Sequence, residues 1–199
     1  MSDLDTIFAP ATAIGRAGVA VIRLSGPAVR MALAALTGQA KMPGPRKATL
    51  TPFLDWNSGE VLDQGLVLWF PAPCSFTGED VAELHCHGGG AVVAALLSSL
   101  GGRDDCRLAE AGEFTRRAFQ NGKMDLTQAE GLADLIAAET EAQRRQAQRQ
   151  LAGELGQLYE GWRADLIRAL AHLEADIDFP EENVPDAMTD RKRSELDPG

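Results

Sequence analysis

The apolar residues in the last third of the chain follow the repeat of a helix. They recur every three or four positions, at Leu151, Leu155, Leu158, Trp162, Leu166, Leu170, Leu173 and Ile177. This spacing places them on one face of a long helix. Thr127 and Glu130 form a capping-box pattern at the start of the region. We predict that the chain is helical from Leu126 onward and that its apolar face needs further helices to cover it.

The residues before position 110 follow a different pattern. Short apolar and β-branched runs bounded by turn residues indicate strands at 18–26, 60–70, 80–87 and 107–109. Gly65 interrupts the second of these runs and indicates a bulge or a close backbone approach. The polar segment 113–123 follows the last run, and its residue pattern predicts neither a strand nor a helix.

Two helices are predicted among these strands. The first helix is predicted to begin at Pro27 and to end just before Gly38. The second helix follows the glycines at 88–90 and is expected to be buried. This order of elements predicts an α+β fold, with an N-terminal mixed sheet and packed helices followed by a partial all-helical domain. The predicted domains are residues 1–121 and 122–199.

Composition limits the environment and the partners of the chain. The formal net charge of −10 argues against a surface that binds nucleic acid through phosphate neutralisation alone. Residues 84–102 carry no charged side chain, but their glycines and histidines argue against a membrane span. The N-terminus is acidic, unlike a signal peptide, and the three cysteines are too widely spaced for a disulfide framework. We therefore expect a cytoplasmic protein with no membrane partner.

The segment "ELHCHGGG" (83–90) is the first candidate site. Alternation on a strand puts Glu83, His85 and His87 on a polar side and Cys86 on the apolar side. A His-x-His pair beside a carboxylate can bind zinc, but His172 is the only other histidine in the sequence. A polar pocket wall or a simple exposed surface is therefore favoured over a metal site, and the glycines are favoured as a turn.

Two isolated cations are further candidates. Arg23 interrupts an apolar strand and shares a face with Val19 and Val21, where it either reaches water from the strand end or has a function. Lys123 lies at the junction of the two halves and, on local grounds, is a solvated loop lysine. Local patterns therefore indicate an α+β domain followed by helices, without a defined activity.

Four segments together resemble a known family. "GVAVIRLSG", "SFTGEDVAELHCHGGG", "AGEFTRRAFQNGKMDLTQAEGLADLI" and "DFPEE" occur in this order, and they are similar to the N-terminal part of the tRNA-modifying GTPase family MnmE, also called TrmE. The resemblance covers nearly all of residues 1–183. It implies a folate-binding domain that forms a homodimer, followed by a helical domain into which a Ras-like G domain is inserted. It also implies modification of the tRNA wobble uridine (U34) with the FAD-containing partner MnmG and a folate one-carbon unit.

The resemblance also implies which residues bind the cofactor. By position in the family motifs, Arg23, Glu83 and Lys123 would contact 5-formyltetrahydrofolate or a related tetrahydrofolate, with no catalytic residue and no metal ligand. The chain would stop before the G domain, so GTP, Mg²⁺ and K⁺ would bind outside it, and alone it is expected neither to hydrolyse GTP nor to bind tRNA tightly. Ala13, Ile14 and Ala111 stand where the family usually has proline, a departure that bears on the affinity for folate and leaves the contact residues unchanged.

Two other functions remain open on the sequence. One is a metal-dependent hydrolase that uses His85 and His87. The other is a dimerisation scaffold that does not bind folate.

Overall fold

The computed structural model describes residues 5–13 and 15–178. The chain divides into two compact units, Met1–Ala129 and Glu130–Gly199. In the part that is described, no helix is long and apolar enough to cross a membrane.

The first unit is built on a mixed sheet. Among its described residues the strands are β1 (Thr6–Pro10), β2 (Ala17–Ser25), β3 (Thr49–Leu54), β4 (Val61–Phe70), β5 (Val81–Gly88) and β6 (Cys106–Leu108). Their order across the sheet is β3-β4-β5-β2-β1-β6. β1 and β6 pair in parallel and the other neighbours are antiparallel. The predicted α+β class with an N-terminal mixed sheet is confirmed.

Two of the described helices lie between strands of the first unit, and the others follow the last strand. The helices are α1 (Val29–Thr37), α2 (Gly90–Gly101), α3 (Glu113–Gln120), α4 (Leu126–Ala137), α5 (Glu141–Leu151) and α6 (Glu154–Asp178). The predicted end of α1 is confirmed, because Gly38 has φ 63° and caps the helix in the left-handed conformation that glycine favours.

The core lies between one face of the sheet and helices α1 and α2. It contains fully buried side chains from both layers, among them Ile22, Leu24, Leu33, Leu36, Leu84, Leu96 and Leu100. The helix α2, expected to be buried, is buried on one side only, at Leu96, Ser99 and Leu100. Its remaining small side chains face outward, since a single sheet covers only one face of a helix.

The opposite face of the sheet stays partly open. Val19 is 57% exposed, Leu50 64% and Leu66 38%. The loop 71–80 and α3 cover the end of this face near Ser25, where the Ser25 and Thr77 side chains are buried. The half-buried side chains of Arg23, Glu83 and His85 lie between the covered end and the open apolar part.

Two predicted details are wrong. The polar segment 113–123 contains α3, whose buried side is formed by Glu113, Arg117 and Ala118, so apolar periodicity does not reveal it. The capping box at the start of α4 uses Asp125 and Gln128 instead of Thr127 and Glu130: the Gln128 N–H donates to Asp125 Oδ1 (2.8 Å) and the Asp125 N–H donates to Gln128 Oε1 (2.9 Å).

The second unit has a broken helix and an exposed apolar face. Gly153, with φ 89°, separates α5 from α6, so the predicted continuous helix from Leu151 to Ile177 is two helices. Ala147 on α5 is buried, and Gly131 on α4 lies so close to α5 that a Cβ there would be 2.8 Å from the Leu151 backbone nitrogen. On α6 the large apolar and aromatic side chains from Leu158 to Ile177 are 47–74% exposed. Within the described residues this face is therefore uncovered.

Candidate ligand-binding site on the open face of the sheet

An ion pair joins the two central strands on the open face. Arg23 on β2 and Glu83 on β5 are direct neighbours in the sheet. Nε and Nη2 of Arg23 donate to Glu83 Oε1 at 3.1 and 2.8 Å. The two side chains are 28% and 18% exposed, so both charges are partly removed from water. The structure thus brings together two of the three cofactor-binding residues that the resemblance implies.

Two aromatic rings lie against the arginine of this pair. The guanidinium carbon of Arg23 is 5.3 Å from the ring centre of Phe76 and 5.9 Å from that of Phe114. Phe76 belongs to the loop 71–80 and Phe114 to α3. Both distances are within the range of cation–π attraction, which strengthens as the cation loses water.

Hydrogen bonds fix the loop that carries Phe76. Ser25 Oγ and Thr77 Oγ1 are 2.6 Å apart, and Ser25 Oγ donates to Glu79 Oε2, also at 2.6 Å. Nδ2 of Asn121 donates to the Thr77 carbonyl at 2.7 Å. The loop is therefore attached both to β2 and to the residue that follows α3.

A buried charge cluster fixes α3. Glu113 is 2% exposed, and its carboxylate accepts from Nη2 (2.6 Å) and Nη1 (2.9 Å) of Arg107. Hydrogen bonds from Arg107 lower the pKa of Glu113 to about 2. Those same bonds raise the pKa of Arg107. Arg117, 6% exposed, donates to Glu79 Oε2 (3.1 Å) and to the Asp5 carbonyl (2.8 Å). The cluster thus connects α3, the loop 71–80 and the start of β1.

Lys123 lies on the outer side of the same loop. Its Nζ donates to the Pro73 carbonyl at 3.0 Å, and its side chain packs close to Gly78. Among the described residues no hydrogen bond or ion pair joins it to Arg23 or Glu83. The Lys123 N–H also donates to the Ala118 carbonyl on α3 at 2.8 Å. The third implied residue is therefore linked to the ion pair indirectly, through the loop 71–80 and α3, which carry Phe76 and Phe114.

The two histidines of the polar side have different surroundings. His85 Nε2 is 3.4 Å from Glu83 Oε2. His87 is 70% exposed, and both its backbone N–H and its Nδ1 lie 2.8 Å from the Asp63 carboxylate. Burial disfavours the charged form of Asp63, but these hydrogen bonds outweigh it and lower the pKa of that carboxyl. In the described part of the chain, no group of three His, Cys, Asp or Glu side chains is placed to bind a metal. The hydrolase alternative therefore has no geometric support there.

Several side chains of this site were not found from the sequence. Phe114, Glu113 and Arg117 lie in the polar segment 113–123, and Phe76 lies between the predicted strands 60–70 and 80–87. The one available signal was the spacing of Glu113 and Arg117, four positions apart, which is that of an ion pair along a helix.

The sequence matches two domain families. Residues 6–123 match the family described as GTP-binding protein TrmE N-terminus, and residues 126–198 match the MnmE helical domain. Together the two matches take in nearly the whole chain.

Relatives include bacterial and mitochondrial proteins. The chain is 64% identical over 182 residues to the tRNA modification GTPase MnmE of Parvibaculum lavamentivorans, covering 92% of this chain and 41% of that protein. It is 60% identical over 192 residues to the protein of the same name from Paramagnetospirillum magneticum (96% and 43%). It is 61% identical over 178 residues to the human mitochondrial 5-taurinomethyluridine-[tRNA] synthase subunit GTPB3 (89% and 36%). The chain thus spans about two fifths of the length of these relatives. It belongs to the MnmE (TrmE) family, whose N-terminal and helical domains it matches.

Proposed function

We propose that this chain is the tetrahydrofolate-binding and dimerisation part of a protein that modifies the wobble uridine (U34) of tRNA. The observation that supports it best is the half-buried pair of Arg23 and Glu83 on the open face of the sheet. The ligand is 5-formyltetrahydrofolate or a related tetrahydrofolate. Arg23, Glu83 and Lys123 bind it, and the chain contributes no catalytic residue of its own.

The chemistry of the pair suits a folate. A pterin edge presents adjacent N–H donors, which a carboxylate accepts well, and a glutamyl tail or a carbonyl oxygen suits a cation. Both Arg23 bonds go to Glu83 Oε1, so Oε2, 3.4 Å from His85 Nε2, retains capacity to accept from a ligand. An ion pair at this depth adds little net stability, because desolvation offsets the attraction. A binding role accounts for the pair better than a purely structural one.

The open apolar part of the sheet supports the proposed homodimer. Val19, Leu50 and Leu66 lie on this face with 38–64% of their surface exposed. Leu50 and Leu66 are direct neighbours on β3 and β4, and exposed apolar patches rimmed by polar residues are typical of protein interfaces. A second copy of the first unit would cover them beside the ion pair.

The remaining parts of the proposal concern the whole protein. Hydrolysis of GTP, with Mg²⁺ and K⁺, belongs to the part of the relatives that this chain does not span, since the 199 residues contain no GxxxxGK[ST] pattern. The partners are tRNA and the FAD-containing MnmG, and the compartment is the cytoplasm. Names of the relatives support the tRNA substrate and the GTPase activity.

Replacing Glu83 with glutamine is expected to weaken 5-formyltetrahydrofolate binding by about 1.5–3 kcal/mol, the range for a hydrogen bond to a charged group. Arg23→Ala and Lys123→Ala should also weaken it. Titration calorimetry on the purified chain measures the affinity, and Glu60→Gln, an exposed glutamate before β4, is the matched control. Wild-type affinity in Glu83→Gln would reject the proposed site. Bound zinc that disappears in His85→Ala would support the hydrolase instead.

The chain should sediment as a dimer at tens of micromolar, and Leu66→Asp should weaken the dimer at least about tenfold, because it places an unpaired charge in the apolar contact. Analytical ultracentrifugation measures both. Leu170→Asp, at a 55% exposed position on α6, is the control for association through the helical face and should leave the dimer intact. A wild-type chain that is only monomeric would contradict the proposed dimer. A wild-type chain that forms the dimer but does not bind folate would support the alternative of a dimerisation scaffold.

A further inference from the structure

The guanidinium of Arg23 is restrained by groups from three separate segments. Glu83 on β5 holds one edge of it through Nε and Nη2. Phe76, from the loop 71–80, and Phe114, from α3, place their rings 5.3 and 5.9 Å from its central carbon. Among the described residues Nη1 makes no hydrogen bond. The arginine therefore keeps donors for a ligand while its orientation is fixed by other side chains.

The two rings are themselves held by contacts outside this arrangement. Phe76 precedes Thr77, which is buried and hydrogen-bonded to Ser25 and Asn121. Phe114 follows Glu113, which is buried and paired with Arg107. The backbone beside each ring is therefore anchored by contacts that do not involve a ligand.

A long cation on an open sheet face would otherwise adopt many rotamers. Fixing such a side chain on binding has an entropic cost, which lowers affinity unless it is met during folding. A flat guanidinium stacks on aromatic rings and hydrogen-bonds through its edge at the same time, whereas an ammonium does not. Phe76 and Phe114 thus explain why an arginine, and not a lysine, suits this position.

We propose that Phe76 and Phe114 are positioning residues that hold the guanidinium of Arg23 in its ligand-binding orientation. The inference deepens the proposed function and rests on it. The rings act through Arg23 and do not themselves supply the interaction with the folate.

Calorimetric titration of the chain with 5-formyltetrahydrofolate, up to millimolar ligand, tests the binding effect. Phe114→Leu and Phe76→Leu should each weaken binding by about three- to tenfold, the scale of a partly desolvated cation–π contact. Phe114→Tyr keeps a ring and should stay within about twofold of the wild type. Phe119→Leu is the matched control, since Phe119 lies on the same helix and is 47% exposed. Urea unfolding of every variant separates lost binding from lost folding.

A double-mutant cycle decides whether the rings act through the arginine. In an Arg23→Gln background, Phe114→Leu should cause no further loss of affinity. An equal loss in both backgrounds would overturn the proposal, because it would mean that the ring contacts the ligand or supports the fold. Wild-type affinity in both single leucine variants would overturn it as well.

A second readout does not depend on the ligand. In NMR spectra of the free chain the Arg23 Nε–H signal should show a ring-current shift and slow exchange with water. Both should move toward the values of a solvent-exposed arginine in the leucine variants. If the wild-type chain binds no folate, the proposed function fails, and this signal alone decides whether the rings hold Arg23. If the Arg23 Nε–H signal of the wild-type chain were already that of a solvent-exposed arginine, the proposal that the rings hold Arg23 would be rejected.

Discussion

Replacing Glu113 with alanine is expected to lower the free energy of unfolding of the first unit by about 3–5 kcal/mol, the cost of leaving buried charges uncompensated. Glu113 is 2% exposed and lies within ion-pair distance of Arg107, Arg116 and Arg117. Without its carboxylate, the 6% exposed Arg117 loses one anionic partner and keeps its ion pair with Glu79. Urea unfolding followed by circular dichroism measures the change.

Glu110 is the matched control for this substitution. It lies three positions earlier, is 49% exposed and pairs with Arg116 at 3.1 Å. Exposed ion pairs contribute about 0–1 kcal/mol, so Glu110→Ala should have a small effect. If the two alanine variants were equally stable, the cluster would not hold α3 in place.

The carboxylate of Glu113 also makes the stability of the first unit depend on pH. Its pKa in the folded chain is about 2, below the ordinary value of 4.5. The contribution of Glu113 is therefore complete above about pH 4.5 and is lost as the pH falls toward 2. It amounts to about 3 kcal/mol at 1.36 kcal/mol per pKa unit. Glu113→Gln should show a flatter loss of stability in this range than the wild type.

Replacing Gly65 with alanine should destabilise the first unit by about 3 kcal/mol, the upper part of the range for overpacking. A Cβ on Gly65 would lie 2.1 Å from the His85 carbonyl oxygen and 2.7 Å from Phe53 Cε2. The obstacle is backbone, so β4 and β5 must separate to admit the methyl group. Because Glu83 lies two residues from His85 on the same strand, folate binding should weaken as well. Thermal and urea unfolding, with the titration described above, measure both effects.

Gly18→Ala provides the matched control in the same sheet. Gly18 lies on β2, and a Cβ there would meet nothing within 4 Å. Alanine has less conformational entropy to lose than glycine, so this variant should be as stable as the wild type or slightly more stable. Equal stability of the two variants would mean that the strands adjust without cost.

Local patterns in the sequence were sufficient for the elements near the site. Alternation placed Cys86 on the apolar side of β5 and Glu83 with His85 on the polar side, and the burial of these residues confirms it. Such predictions succeed because a strand's period of two is a property of neighbouring residues. Gly65 was likewise predicted to mark a bulge or a close backbone approach, and the approach is to the backbone of β5.

Local sequence patterns did not predict the charged and aromatic residues that surround the site. Glu113 and Arg117 have the composition of a solvated helix, yet they are buried because Arg107 and Glu79 neutralise them from other segments. Burial of a charge depends on partners that are distant in sequence, so local hydropathy misassigns it. The helix α3 was missed for the same reason.

The α+β class, the two faces of β5 and, through its motifs, the MnmE family follow from residue patterns along the chain. The contact of Arg23 with Glu83, across 60 residues of sequence, and the placement of Phe76 and Phe114 against the same guanidinium follow from tertiary packing. Lys123 matches the family motif, but among the described residues it is linked to that pair indirectly, through the loop 71–80 and α3. The physical reason is that strand period and motif residues are encoded in short stretches of chain. The register of β2 on β5 and the packing of α3 and the loop 71–80 against the sheet result from long-range contacts formed when the chain folds.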